Sequence, residues 1–255
     1  MQKTYDLYKR GIAFWYLLLI PLIAFGFYKS YFIVLLAPRP SIVHIHFILM
    51  MLWTGLLIIQ PLLIRYKKIA LHRSIGKTSY IIVPLLLIAG FFMIRFSYYR
   101  NLNEINNQLK QGTLQVSAAE LLQQAADFVR ITYLYLFWLG FFYFKAIINR
   151  HTTSVHARYM VAASLTMLGP TVDRIIYFYT GIINFFGVIP LEYLSFLLQD
   201  IILAGLLIYD YKKGKPTKTL WVCLLTYIIG QFLYYFVEHK AFWETFVSFT
   251  MQPAP

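Results

Sequence analysis

Charge is what this 255-residue chain has little of. Asp, Glu, Lys and Arg together make up 13% of it, where a soluble domain carries about 25%. That scarcity excludes an ordinary water-soluble fold. Acidic residues are scarcer still, 10 against 23 basic ones. The single cysteine, Cys223, excludes an intrachain disulfide and any zinc site built on several thiolates. No His-Glu-x-x-His and no Gly-x-Ser-x-Gly occurs, which removes two common signatures of hydrolytic chemistry. The last apolar run, Leu220 to Val237, holds no lysine, so a retinal Schiff base has no anchor there.

Apolar side chains are abundant instead, at 60% of the chain, with aromatic residues at 19%. Seven apolar runs are long enough to cross a bilayer: about 11–29, 42–64, 75–96, 129–148, 155–178, 188–209 and 220–237. They predict an all-α integral membrane protein, a seven-helix bundle forming one polytopic domain over 1–255. Met1 to Arg10 is basic, and the run behind it lacks a small-residue cleavage site, so it reads as a retained first span.

The net charge of +13 does not point to nucleic acid, because the basic residues sit in short loops between apolar runs. Fifteen of the 23 fall on one side of the predicted topology, including Lys3, Lys9, Arg10, Arg65, Lys67, Lys68, Arg73 and Lys212 to Lys218. The positive-inside rule makes that side cytoplasmic. The amino terminus is then inside and the carboxyl terminus outside, in the inner (plasma) membrane. Membrane lipid is the expected partner, together with other envelope proteins. Between the third and fourth spans, a polar stretch over about 98–128 has helical spacing up to Gly112, then the capping box Ser117-Ala-Ala-Glu120. It predicts an outer helical hairpin. Phe242, Trp243, Phe246 and Phe249 predict a short helix in the outer interface.

Chemistry-bearing residues recur on two helical stripes. His46, Met50, Trp53, Leu57 and Gln60 follow at steps of three and four on the second span, and His156, Met160, Ala163, Met167, Pro170 and Arg174 on the fifth. At the inner end, His72 and His156 have the types and depth to ligate a haem b iron from two sides, with Arg73 and Arg158 meeting its propionates. At the outer end, His46, Arg95, Asp173 and Arg174 suit an anion or a quinone headgroup. Asp200, near the middle of the sixth span, is the costliest residue to place in lipid. It reads either as a functional carboxylate partnered by Arg174 or Arg95, or as hydrogen-bonding glue. Each histidine taken alone has a plainer reading, a helix-end side chain bonded to a carbonyl or headgroup.

The spacing His46…Gln60-Pro61, His72-Arg73-x-x-Gly76 with Tyr80, and His156-x-Arg158-Tyr159-Met160 with Arg174 resembles a family of bacterial multi-pass membrane proteins with no assigned activity. In that family a histidine opens one span and a glutamine closes it, His-Arg-x-x-Gly-x-x-Tyr opens the next, and His-x-x-Trp-Met-x-Arg begins another. Tyr80 lies one residue late here, Tyr159 stands for the tryptophan, and Arg158 is displaced from the motif arginine. Two functional readings follow from the residues. One is a transporter, sensor or accessory subunit of an envelope complex with Asp200 and the outer arginines as polar core. The other is a membrane redox protein binding haem b or quinone. The orientation has a direct check: a reporter fused after Pro255 should behave as extracytoplasmic and one placed between Lys212 and Lys218 as cytoplasmic, and swapped results would reverse the assignment.

Overall fold

The computed structural model describes residues 11–252; Lys3, Lys9 and Arg10, counted above toward the cytoplasmic side, lie outside them. The chain is almost wholly helical, because a backbone in hydrocarbon must bond within its own segment. Six helical stretches are long and apolar enough to span a membrane: Ile12–Phe32, Ser41–Arg65, Ile69–Lys110, Ala118–Ile148, Glu192–Lys212 and Lys218–Phe236. The first consists of α1 (Ile12–Leu17), α2 (Leu19–Phe27) and a π-helical turn over Tyr28–Phe32. Then come α3 (Ser41–Arg65), the short α4 (Ile69–Gly76) and the long α5 (Ser79–Lys110). Residues such as Phe14, Ile81, Phe137, Phe144, Ile201 and Phe232 are exposed around the outside of the bundle, the surface that a lipid solvent allows.

At about 1.5 Å per residue, the 32 residues of α5 reach well past a hydrocarbon core of about 30 Å. Its partner α6 (Ala118–Ile148) is nearly as long, at 31 residues. Their projecting ends form the predicted hairpin. Gly112 takes a φ of +70° just beyond α5, the left-handed position that ends a helix cheaply only with glycine. Ser117 and Glu120 close a reciprocal capping box on α6. The opposite end of the bundle carries Arg65, Lys67, Lys68, Arg73, Lys145 and Lys212 and is here the basic end.

The run expected as a fifth span is not one helix. It is two 13-residue helices, α7 (Thr153–Leu165) and α8 (Leu168–Thr180), meeting at Thr166 and Met167. Pro170 explains the interruption, since it has no N–H to give the carbonyl four residues back. A small antiparallel pair, β1 (Asn184–Phe185) and β2 (Ile189–Pro190), turns the chain at the hairpin end. It leads into α9 (Glu192–Lys212), which is followed by α10 (Lys218–Phe236). The final α11 (Ala241–Met251) lies on the outer part of α5 and α6, as its aromatic pattern predicts. Trp243 donates to Ala126 O at 3.0 Å, Tyr133 meets Thr250 at 2.6 Å, and Val247 is fully buried.

Large and small residues interlock at the centre. Trp138 on α6 packs on Tyr227 of α10 with ring centres 4.4 Å apart, and Phe142 stacks on the same ring at 5.0 Å. Glycine makes the approach possible: a Cβ on Gly230 would lie 2.7 Å from Trp138 ring atoms. The indole cannot yield easily, because its Nε1 donates to Thr226 O at 3.3 Å. Gly230→Ala should therefore lower stability by about 1–3 kcal/mol through overpacking. Gly205→Ala, with nothing within 4 Å of the added methyl, should be close to neutral; thermal unfolding in detergent compares the two.

Candidate functional site

The two histidines at the basic end, His72 and His156, are each held by a group that sets which ring nitrogen carries the proton. The Gln60 amide, at the end of α3, is oriented by backbone: its oxygen accepts from Gly76 N–H at 3.0 Å and its nitrogen donates to His72 O at 3.1 Å. The same nitrogen donates to His72 Nδ1 at 2.5 Å, so the His72 proton sits on Nε2. On α7, His156 Nδ1 donates to Ala146 O at 2.8 Å, which leaves a lone pair on its Nε2. The two rings lie within each other's electrostatic reach. One offers a proton and the other a lone pair, the complement for a hydrogen bond. Shared ligation of an iron needs a lone pair on both, so this arrangement does not fit the expected haem pair.

The expected propionate partners are also placed elsewhere. Arg158 is 1% exposed and turns into the bundle, where its Nε and Nη2 reach Asp210 Oδ2 at 2.9 and 2.7 Å. Lys215 adds a contact of 3.7 Å to Asp210 Oδ1. Charge in a low-dielectric interior seeks a counter-charge, and Asp210 supplies it. Arg73 is exposed at the basic end. Gly76, expected to leave room for a flat ring, faces the Gln60 side chain.

At the hairpin end Arg95 stands apart from the other three expected residues, while His46 and Asp173 lie within the electrostatic reach of Arg174. Arg95 donates to the carbonyls of Thr250 and Gln252 at 3.0 and 2.9 Å, and Tyr99 bonds Met251 O. Together they tie down the C-terminal end of α11, where unsatisfied carbonyls attract a cation. Arg174 donates to Pro170 O at 2.7 Å and lies 4.7 Å from the Phe27 ring centre. His46 is within its electrostatic field, and its buried Nδ1 has no hydrogen-bond partner among the described residues. His44, two positions away, points elsewhere and meets Tyr31 at 3.0 Å.

Asp200 bonds neither Arg174 nor Arg95. Its carboxylate accepts from Gln231 of α10 at 3.1 Å. The deeper polar group is its neighbour Gln199, which is fully buried and donates to Leu165 O at 3.2 Å. That is the carbonyl freed where α7 stops. The Gln199 carbonyl oxygen has no partner among the described residues. One turn away, Ser195 is fully buried and meets the Tyr135 hydroxyl at 3.2 Å. Tyr135 fits there because Gly169 faces it; a Cβ on Gly169 would overlap its ring and hydroxyl. Asp173, one turn along α8 from Gly169, interacts with Ser195, Glu192 and Arg174, and its Oδ1 is buried without a hydrogen bond.

From here polar groups continue toward the hairpin end. Tyr234 donates to Glu192 at 3.1 Å, and the Arg130 guanidinium lies 4.2 Å from the Tyr234 ring centre. Arg130 pairs with Glu238 at 3.1 Å and Asp127 at 3.4 Å, and Asp127 meets the exposed His239 at 2.7 Å. Toward the basic end, the Tyr227 hydroxyl donates to Ala162 O at 2.8 Å, and beyond it lies the Arg158–Asp210 pair. The result is a polar column through the bundle with an ion pair near each end. Glu192, Ser195, Gln199 and, further along, Asp210 supply it from α9. Three of these, Glu192, Ser195 and Gln199, follow at steps of three and four, yet they had no place in the sequence reading.

Among the described residues no three His, Cys, Asp or Glu side chains gather as a metal site. No protein-family profile, curated protein or solved structure matches this chain. The opposed histidine tautomers predict that protein purified after expression with added haem shows no Soret band. A band lost in both His72→Ala and His156→Ala would instead establish the pair as iron ligands.

Proposed function

We propose that this chain is a transport protein of the inner (plasma) membrane, with the polar column as its translocation path. In this reading α7 and α8 together make a broken seventh span, which places the basic end in the cytoplasm and the amino terminus inside. The carrying observation is that interruption. Two 13-residue helices are each about 20 Å long, so their junction falls near the bilayer midplane. Irregular backbone at that depth is tolerated where it is buried in protein or lines a path. Discontinuous helices of this kind frame substrate and ion sites in membrane transporters.

The ion pairs at the two ends act as gates. Arg130 with Glu238 joins α6 to the segment after α10, and Arg158 with Asp210 joins α7 to α9. Alternating access requires that one be broken while the other holds. With both closed, the centre is occluded.

Ser195 reports on the path. In a Cys223→Ser background, Ser195→Cys is exposed to a membrane-impermeant thiol reagent added at the hairpin face. Glu238→Gln removes one partner of Arg130; a part-exposed pair is worth about 1 kcal/mol, so labelling should rise roughly fivefold. Lys215→Gln loosens the opposite gate and should lower labelling. Equal, background labelling in all three proteins would refute a gated path.

A further inference from the structure

We propose that Asp173 is a proton-binding group of this path, loaded from the hairpin end through Glu192. The proposal rests on the transport reading above and names the ion that the column carries.

The central groups are suited to a proton and to little else. Gly169 packs so closely on Tyr135 that one added methyl would overlap its hydroxyl, so a bulky ligand has no room in this occluded arrangement. Two acceptors near the α7–α8 junction have no hydrogen-bond partner among the described residues, Asp173 Oδ1 and the Gln199 carbonyl oxygen, with Gln199 fully buried. Buried acceptors without donors call for a proton, a cation or water. Hydroxyl and carboxylate groups also recur along the column at hydrogen-bonding distances, with Tyr234 on Glu192 at 3.1 Å and Tyr135 on Ser195 at 3.2 Å. Chains of Asp, Glu and His within a bundle are the usual form of a proton relay.

The surroundings of Asp173 are few. The titratable groups within its electrostatic reach are Tyr135 of α6, Glu192 of α9 and Arg174, its neighbour on α8, with Ser195 of α9 beside them. From α2, which packs along α8, no titratable side chain exists to face it. Arg174 directs its guanidinium at Pro170 O and the Phe27 ring, so it sets the local field without occupying the carboxylate. Glu192 and Ser195 are three residues apart on α9 and share a face. In this arrangement the Ser195 hydroxyl donates to the Glu192 main-chain oxygen at 2.8 Å; a proton taken up by the Glu192 carboxylate passes to the Ser195 oxygen as that hydroxyl turns and gives its own proton to Asp173. One O–H bond breaks and one forms at each transfer, and no electron moves. Asp127 and His239, 2.7 Å apart at the hairpin end, stand where the proton arrives from water.

Infrared spectroscopy of the full chain in oriented proteoliposomes tests this through the carbonyl stretch of a protonated carboxylic acid. After an acid jump at the hairpin face, this signal should appear in the unmodified protein, be lost in Asp173→Asn, and return at a shifted position in Asp173→Glu. Glu192→Gln should retain its amplitude but slow its appearance by roughly 10²-fold, the usual contribution of a positioned proton carrier. Asp200→Asn, whose carboxylate bonds Gln231, should leave the signal unchanged. The proposal fails if the signal survives in Asp173→Asn, if Glu192→Gln leaves its rate unaltered, or if a jump at the basic face alone evokes it. Thiol labelling at Ser195→Cys reads the path without reference to protons, so gated labelling with no Asp173 signal would overturn the proton assignment alone.

Discussion

A carbonyl left unbonded in the middle of a bilayer has no water to turn to, and the fold is arranged around that constraint. The interruption between α7 and α8 frees backbone groups where none should be free. Four carbonyls at and beside it take side-chain donors from inside the bundle: Leu165 O from Gln199, Ala162 O from Tyr227, Ala163 O from Thr166, Met167 O from Thr171. Two of these donors come from other helices, so the break dictates which faces of α9 and α10 turn inward. Close packing follows. Gly169 admits Tyr135, and Gly26 on α2 sits where a Cβ would lie 2.8 Å from Thr171 O. Helices bind in lipid through such small residues, because apolar burial alone gives them little reason to associate.

The same arrangement accounts for the buried charges. Arg158 and Asp210 are 1% and 0% exposed, and removing one partner of such a pair costs about 3–5 kcal/mol. A hydrophobic pair of equal volume would hold α7 to α9 at least as well, so stability does not explain why these charges are there. In the transport reading proposed above they serve as a gate, because an ion pair can exchange partners for water where a hydrophobic contact cannot. At the other end Arg130 is held by three different groups, Asp127, Glu238 and the Tyr234 ring. Loss of one contact leaves the guanidinium with others, which suits a junction that must open reversibly.

Much of the architecture was legible in the residues. The hairpin, its capping box, the short terminal helix and six of the apolar runs follow from periodicity and turn chemistry alone. The fifth run was legible only as an apolar length, because hydropathy does not register a missing hydrogen bond; Gly169-Pro170 was the available sign. Site residues were harder. Asp200 drew attention through its depth and charge, yet helical rotation turns it to Gln231 and sends Gln199 to the core instead. Arg95 was grouped with Arg174 by side of the membrane, whereas the open carbonyls at the end of α11 claim it. Asp210 was passed over because it sits among Lys212, Lys213 and Lys215, where an acid reads as a solvated loop residue. His72 and His156 do share one end of the bundle, but which ring nitrogen holds the proton depends on the Gln60 amide and the Ala146 carbonyl, and spacing carries no such information.

In the proposed cycle the place of movement follows from where the ladder is already cut. Opening the centre means drawing Gly169 away from Tyr135, and Tyr135 belongs to α6, which is fastened along its length to α5 and α11. The mobile partner is therefore α8. Its junction with α7 at Thr166 and Met167 is where it would flex, since Pro170 leaves the Thr166 carbonyl without a helical donor. Gly26 seats α2 directly on Thr171, and Phe25 stacks on Tyr179 with ring centres 4.1 Å apart. A swing of α8 thus carries α2 with it, and two helices move as one body. Because α8 holds Asp173 and α9 holds Glu192, that swing would change the separation of the two carboxylates, which links proton occupancy to the opening of the path.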